Sequence, residues 1–77
     1  MITVRVLDRK TGKSVKGARV ALAFSGFAFL PGGVTSAEYT DEYGEAHFNH
    51  EPSSGEVFVN GRKEKEGSLR GLVIVYI

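Results

Sequence analysis

Apolar residues in this chain recur at every second position over short runs, and no window of eleven or more residues shows the 3.6-residue period of an amphipathic helix. Ten glycines cut those runs into strand-sized lengths. This pattern restricts 77 residues to an all-β domain, because short alternating strands bury their apolar sides only by stacking two sheets or closing a barrel. A domain of this size hides only about 60% of the surface its unfolded chain exposes, so there is room for one core. Leu, Ile, Val and Phe supply 22 of the 77 residues, above the roughly one-fifth below which chains stay disordered. One folded domain over residues 1–77 is therefore expected.

The strands can be placed from the alternation. Ile2, Val4 and Val6 oppose Thr3, Arg5 and Leu7, and a turn carrying Gly12 follows. Ala18, Val20, Leu22 and Phe24 form one side of a second strand, whose outward Ala21 and Ala23 suggest a partly covered second side. Residues 34–40 extend again, Asp41 and Gly44 fit the first and fourth positions of a type I turn, and residues 45–49 return with Ala46 and Phe48 inward, which predicts a hairpin. Val57 and Val59 share a side, and Asn60-Gly61 is the strongest short hairpin-turn dipeptide. The mixed charges of residues 62–66 suit a solvated edge or loop. Residues 72–77 are apolar throughout, which predicts a strand buried on both faces or covered by a partner.

Composition removes whole classes of chemistry. There is no cysteine, hence no disulfide framework, thiolate nucleophile or Cys-ligated metal. Ten Lys plus Arg against nine Asp plus Glu, spread along the chain, give a net charge of +1 and no footprint for nucleic acid or anionic membrane. No apolar run is long enough to span a bilayer, and Met1 to Asp8 has no signal-peptide pattern. A chain complete as written reads as cytoplasmic, and a fragment of an exported protein as extracytoplasmic. The glycine-rich pieces lack the Lys-Ser/Thr of a phosphate loop. No cofactor is expected.

The motif residues follow a known arrangement. Val4 to Asp8, then Thr11-Gly12 with Val15, Gly17-Ala18, Val20 and Leu22, then Thr40-Asp41 with Gly44 and Phe48, then Gly55, Val57 and Val59, resemble the carboxypeptidase regulatory-like domain. The resemblance covers the chain to about Val59. It implies a small Greek-key β-sandwich of about seven short strands, prealbumin-like and related in shape to transthyretin, that lacks catalytic residues and binds or scaffolds other proteins. In physical terms, Gly17-Ala18 allows close backbone approach where the second strand begins, and Thr40-Asp41 with Gly44 makes a turn. Ser14 stands where that pattern often has Pro. The transthyretin-like hydroxyisourate hydrolases end in Tyr-Arg-Gly-Ser, whereas this chain ends Val75-Tyr76-Ile77, which disfavours the enzymatic relative.

Three functional readings follow, from different classes. The first is a non-catalytic binding or scaffolding module with a protein partner or a second copy of itself, as in a homodimer. Its contact surface is the apolar loop of Phe27, Phe29 and Leu30 together with the terminal strand. The same loop can instead fold back and plug the open end of the sandwich. The second is a small carbohydrate- or ligand-binding domain stacking sugars on Tyr39, Tyr43 and Phe58. The third, ranked last, is a hydrolase around His47 and His50. Those histidines with Glu45 and Glu51 can be drawn as a metal site, but positions 47 and 50 point to opposite sides of a strand, so no metal is assigned. Ser53 and Ser54 lie near His50 without a nucleophile elbow, and no catalytic residue is assigned.

Overall fold

The computed structural model describes residues 1–24 and 35–77, which form seven strands. These are β1 (Ile2–Leu7), β2 (Arg19–Phe24), β3 (Glu38–Tyr39), β4 (Glu45–Phe48), β5 (Ser53–Val59), β6 (Arg62–Leu69) and β7 (Gly71–Tyr76). The described residues contain no helix long and apolar enough to cross a membrane. A three-stranded sheet in the order β4-β1-β7 stacks on a four-stranded sheet in the order β3-β2-β5-β6. The protein is a small all-β sandwich, as the alternation predicts.

Each strand buries the side its pattern marks. Ile2, Val4, Val6, Val20, Leu22, Val57 and Leu69 are fully enclosed, and Phe24, Ala46, Phe48, Val59, Val73 and Val75 complete the core between the sheets. Each fully buried side chain of this size stabilises by about 1.5–3 kcal/mol relative to exposure. β1 lies at the centre of its sheet, antiparallel to β4 and parallel to β7. Ala23 is buried and Ala21 half-buried, so the second side of β2 is partly covered as its alanines suggest.

The Asn60-Gly61 dipeptide makes the β5–β6 hairpin turn with both φ angles positive, 53° and 83°. The charged run is the edge strand β6, and a register shift between Val57 and Phe58 leaves Glu64 unpaired in the ladder as a β-bulge. Only Arg70 separates β6 from β7, so the chain passes from one sheet to the other in a single residue, helped by the positive φ of Gly71.

Three expectations need correction. The Asp41–Gly44 turn forms, with Gly44 N–H donating to Asp41 C=O at 2.9 Å, but it does not close a hairpin. β3 pairs with β2 and β4 pairs with β1, so the turn carries the chain between sheets. Its anchor is Thr40, the one buried polar residue among those described. The Thr40 Oγ1 donates to the Val15 carbonyl at 2.6 Å and accepts from the Ala18 N–H at 2.8 Å, which holds β3 to the start of β2. Secondly, β7 is not buried on both faces: Val73 and Val75 point inward while Leu72, Ile74 and Tyr76 stay exposed. Thirdly, Gly17 has open space around it and is required by its φ of +78°, not by close approach. The close approaches fall at Gly55, over the Ala23 carbonyl, and at Gly44.

Gly44 and Gly12 both adopt left-handed backbone, with φ of +77° and +74°, but a Cβ on Gly44 would lie 2.7 Å from the Val6 carbonyl oxygen while one on Gly12 meets nothing. Gly12→Ala is expected to cost about 1 kcal/mol from backbone strain alone, and Gly44→Ala about 2–4 kcal/mol from strain plus displacement of β1. Urea unfolding of the two variants checks the difference; equal losses would contradict the close approach.

Candidate functional site

Strand register determines which side chains meet on the outer face of the three-stranded sheet, because cross-strand partners project to the same side. Thr3 lies between His47 and Leu72, Arg5 lies between Glu45 and Ile74, and Leu7 lies beside Tyr76. One face is thus divided into a polar half on β4 and an apolar half on β7.

The apolar half is a stripe of Leu72, Ile74 and Tyr76, exposed by 48, 36 and 49%. The same strand forms a sheet edge among the described residues, so its outward backbone groups have no ladder partner there. The other edges are each protected. β3 has two residues and β4 four, while β6 carries Arg62, Lys63, Glu64, Lys65 and Glu66 and a bulge. Lys63 Nζ lies 3.3 Å from both Glu56 on β5 and Glu66 on β6, and hydrogen bonds to those carboxylates hold the Lys63 pKa above its ordinary value. β7 combines six residues, no charge and no proline.

The polar half is a network. The Arg5 guanidinium donates through Nε (3.1 Å) and Nη2 to Glu45 Oε2. Thr3 Oγ1 is 2.9 Å from His47 Nδ1. Asp41, in the preceding turn, accepts the Tyr43 and Glu45 N–H groups on Oδ1 at 2.9 and 3.0 Å. His47 Nε2 lies 3.9 Å from Asp41 Oδ2 and 3.8 Å from Glu45 Oε1. Both separations exceed hydrogen-bond length, so Thr3, His47 and the acids do not form a nucleophile, an oriented base and its carboxylate.

His50 is elsewhere. Its ring stacks on Phe24 at 3.9 Å between centroids, and its Nδ1 contacts the Glu51 carbonyl at 2.6 Å. The site drawn from His47, His50, Glu45 and Glu51 therefore does not assemble. Among the described residues, the donors that converge are Asp41, Glu45 and His47. The spacing Asp-x3-Glu-x-His was readable, but Asp41 looked fully accounted for as a turn residue.

Of the aromatic residues considered for sugar stacking, Tyr39 is exposed and Phe58 half-buried. Their register with Arg19 and Ala21 places both on the outer face of the four-stranded sheet, on either side of β2. Tyr43 is exposed in the turn, outside both sheets. Phe27, Phe29 and Leu30 lie outside the described residues. A cleft of about 620 Å³ is lined by Asp8, Arg9, Lys10, Arg62, Glu64 and Ile77, with three basic and two acidic side chains intermixed.

No protein-family model, curated protein or solved structure matches the chain.

The Asp41 carboxyl is held below its ordinary pKa of 3.8, chiefly by the Glu45 N–H, with help from the Tyr43 N–H and from His47. A folded value below the unfolded one gives stability that is complete above about pH 4 and is lost as pH falls through the folded value. Asp8, capped by the Thr11 and Lys10 N–H groups, acts with the same sign. Asp41→Asn keeps an acceptor for the turn but does not titrate. Its unfolding midpoint should fall less steeply than the wild type's over acid titration from about pH 6 to pH 2. Parallel curves would show that Asp41 makes no contribution.

Proposed function

We propose that the protein is a non-catalytic self-association module whose contact element is β7. The observation that carries this reading is the contrast among the edges of the described residues: three are short or charged and bulged, and the fourth is six residues of apolar strand whose one side-chain contact to an edge carbonyl is Arg9 on Tyr76. The sequence of β7 also suits a two-fold axis. Antiparallel pairing of two copies about Ile74 places Ile74 opposite Ile74, Val73 opposite Val75 and Leu72 opposite Tyr76, with no charge in the ladder. The sheets then join as six continuous strands, and the apolar stripe packs across the axis. The two-sheet shape also fits the regulatory-like modules that the motif residues resemble.

A second reading, a carbohydrate-binding domain, draws on the shared face of Tyr39 and Phe58. Arg19 and Ala21 lie between them, so a sugar would have to span β2 to touch both.

Light scattering behind size-exclusion chromatography separates these. A dimeric wild type, a monomeric but folded Ile74→Lys variant and a dimeric Tyr39→Ser variant are expected. A wild type that stays monomeric at its highest soluble concentration overturns the self-association reading, as does an Ile74→Lys variant that remains a dimer. Quenching of tyrosine fluorescence by an oligosaccharide, lost in Tyr39→Ser, would favour the second reading.

A further inference from the structure

We infer that Asp41, Glu45 and His47 bind a divalent transition-metal ion of the zinc class. The donor set is one imidazole nitrogen and two carboxylate oxygens, all within 4.8 Å of one another. Such mixed nitrogen and oxygen donors suit Zn2+ and its first-row neighbours, whereas Mg2+ and Ca2+ prefer oxygen alone.

Each donor residue has one polar atom engaged by a group outside the set and a second left free. Arg5, on β1, occupies Glu45 Oε2 and leaves Oε1. Thr3, also on β1, is paired with His47 Nδ1. A proton on that nitrogen is donated to Thr3 Oγ1, and the lone pair of Nε2 is then free. The Tyr43 N–H occupies Asp41 Oδ1 and leaves Oδ2. The free atoms are the ones that converge, with Nε2 at 3.8 Å from Oε1 and 3.9 Å from Oδ2. Arg5 and the Tyr43 N–H orient the two carboxylates as an outer shell does at metal sites, and Thr3, whose hydroxyl can accept as well as donate, is compatible with the Nδ1–H tautomer that leaves Nε2 free.

The separations also fit. Donors about 2.1 Å from a tetrahedral Zn2+ lie about 3.4 Å apart, so the set is slightly open and closes by rotation of exposed side chains. The side chains of Asp41 and His47 are 44 and 50% exposed, which leaves the ion open to water at its remaining position. A dication also offsets two carboxylates that a single Arg5 only half neutralises. The site lies on the β4 side of the sheet and is independent of self-association through β7.

Isothermal titration of the protein with ZnCl2, beside the His47→Gln, Asp41→Asn, Thr3→Val and His50→Gln variants, tests this. One Zn2+ per chain is expected, with affinity reduced at least about 10-fold in His47→Gln and Asp41→Asn, about 10-fold in Thr3→Val, and unchanged in His50→Gln. Zn2+ should shift the His47 Nε2 resonance in the NMR spectrum of the wild type, and MgCl2 should not. Absence of Zn2+ binding overturns the assignment, as does binding that survives His47→Gln or is lost in His50→Gln. Circular dichroism of each variant confirms that the fold is retained, and the NMR shift needs no variant.

Discussion

The fold depends on β1. Among the described residues it is the only strand of its sheet with neighbours on both sides, and its inward residues Ile2, Val4 and Val6 have no exposed surface. The C-terminal end of its ladder is extended on both sides by further backbone bonds. Val6 N–H donates to Gly44 C=O at 2.7 Å, Val15 N–H donates to Val6 C=O at 3.0 Å, and Ile77 N–H donates to Leu7 C=O at 2.9 Å. Three distant parts of the chain therefore close on six residues. The parallel pairing with β7 is the long-range part, joining positions about seventy residues apart, and so carries the largest loop-closure cost of the β1 pairings.

The polar clasp at Thr40 complements this apolar centre. A buried hydroxyl is tolerable only when hydrogen-bonded, and Thr40 both donates and accepts, while its own N–H donates to the Ala18 carbonyl. It ties β3 to β2 just before the turn that delivers β4 to the opposite sheet. Asp41, one residue later, caps that turn with its side chain. Two adjacent residues thus determine where the chain changes sheet, and the same turn brings a carboxylate beside β4.

What the sequence made legible follows from which forces act locally. Alternation is a local property, and it identified the inward residues of β1, β2, β4 and β5 as well as the turns at Gly12, Asp41 and Asn60-Gly61. Sheet membership is not local. The Asp41–Gly44 turn reads the same whether it closes a hairpin or crosses between sheets, and only the pairing of β3 with β2 decides it. For the same reason the uninterrupted apolar run of β7 reads as a strand buried on both faces or covered by a partner, and the structure removes the first alternative by leaving Leu72, Ile74 and Tyr76 outside. Positions 47 and 50 would point to opposite sides of one strand, but His50 lies beyond the end of β4, where its ring stacks on Phe24. The convergence of Asp41, Glu45 and His47 required the β1–β4 register, which supplies Thr3 and Arg5.

The division of the outer face follows from the same register. β1 separates the ionic network on β4 from the apolar stripe on β7 by two strand spacings, about 9.6 Å. Thr3 and Arg5 occupy the middle row and turn their polar ends toward His47 and Glu45, so the charge is drawn to one side and β7 is left bare. An edge strand with charges opposite it would resist pairing even if its own residues were apolar. Arg5, in the row beside Ile74, is paired across the sheet with Glu45, and Arg9 Nη2 donates to the Tyr76 carbonyl at 3.3 Å at the end of β7. The Arg5–Glu45 pair thus orders the polar half and draws the Arg5 charge away from the Leu72, Ile74 and Tyr76 row, which leaves the two halves of the face distinct as binding surfaces.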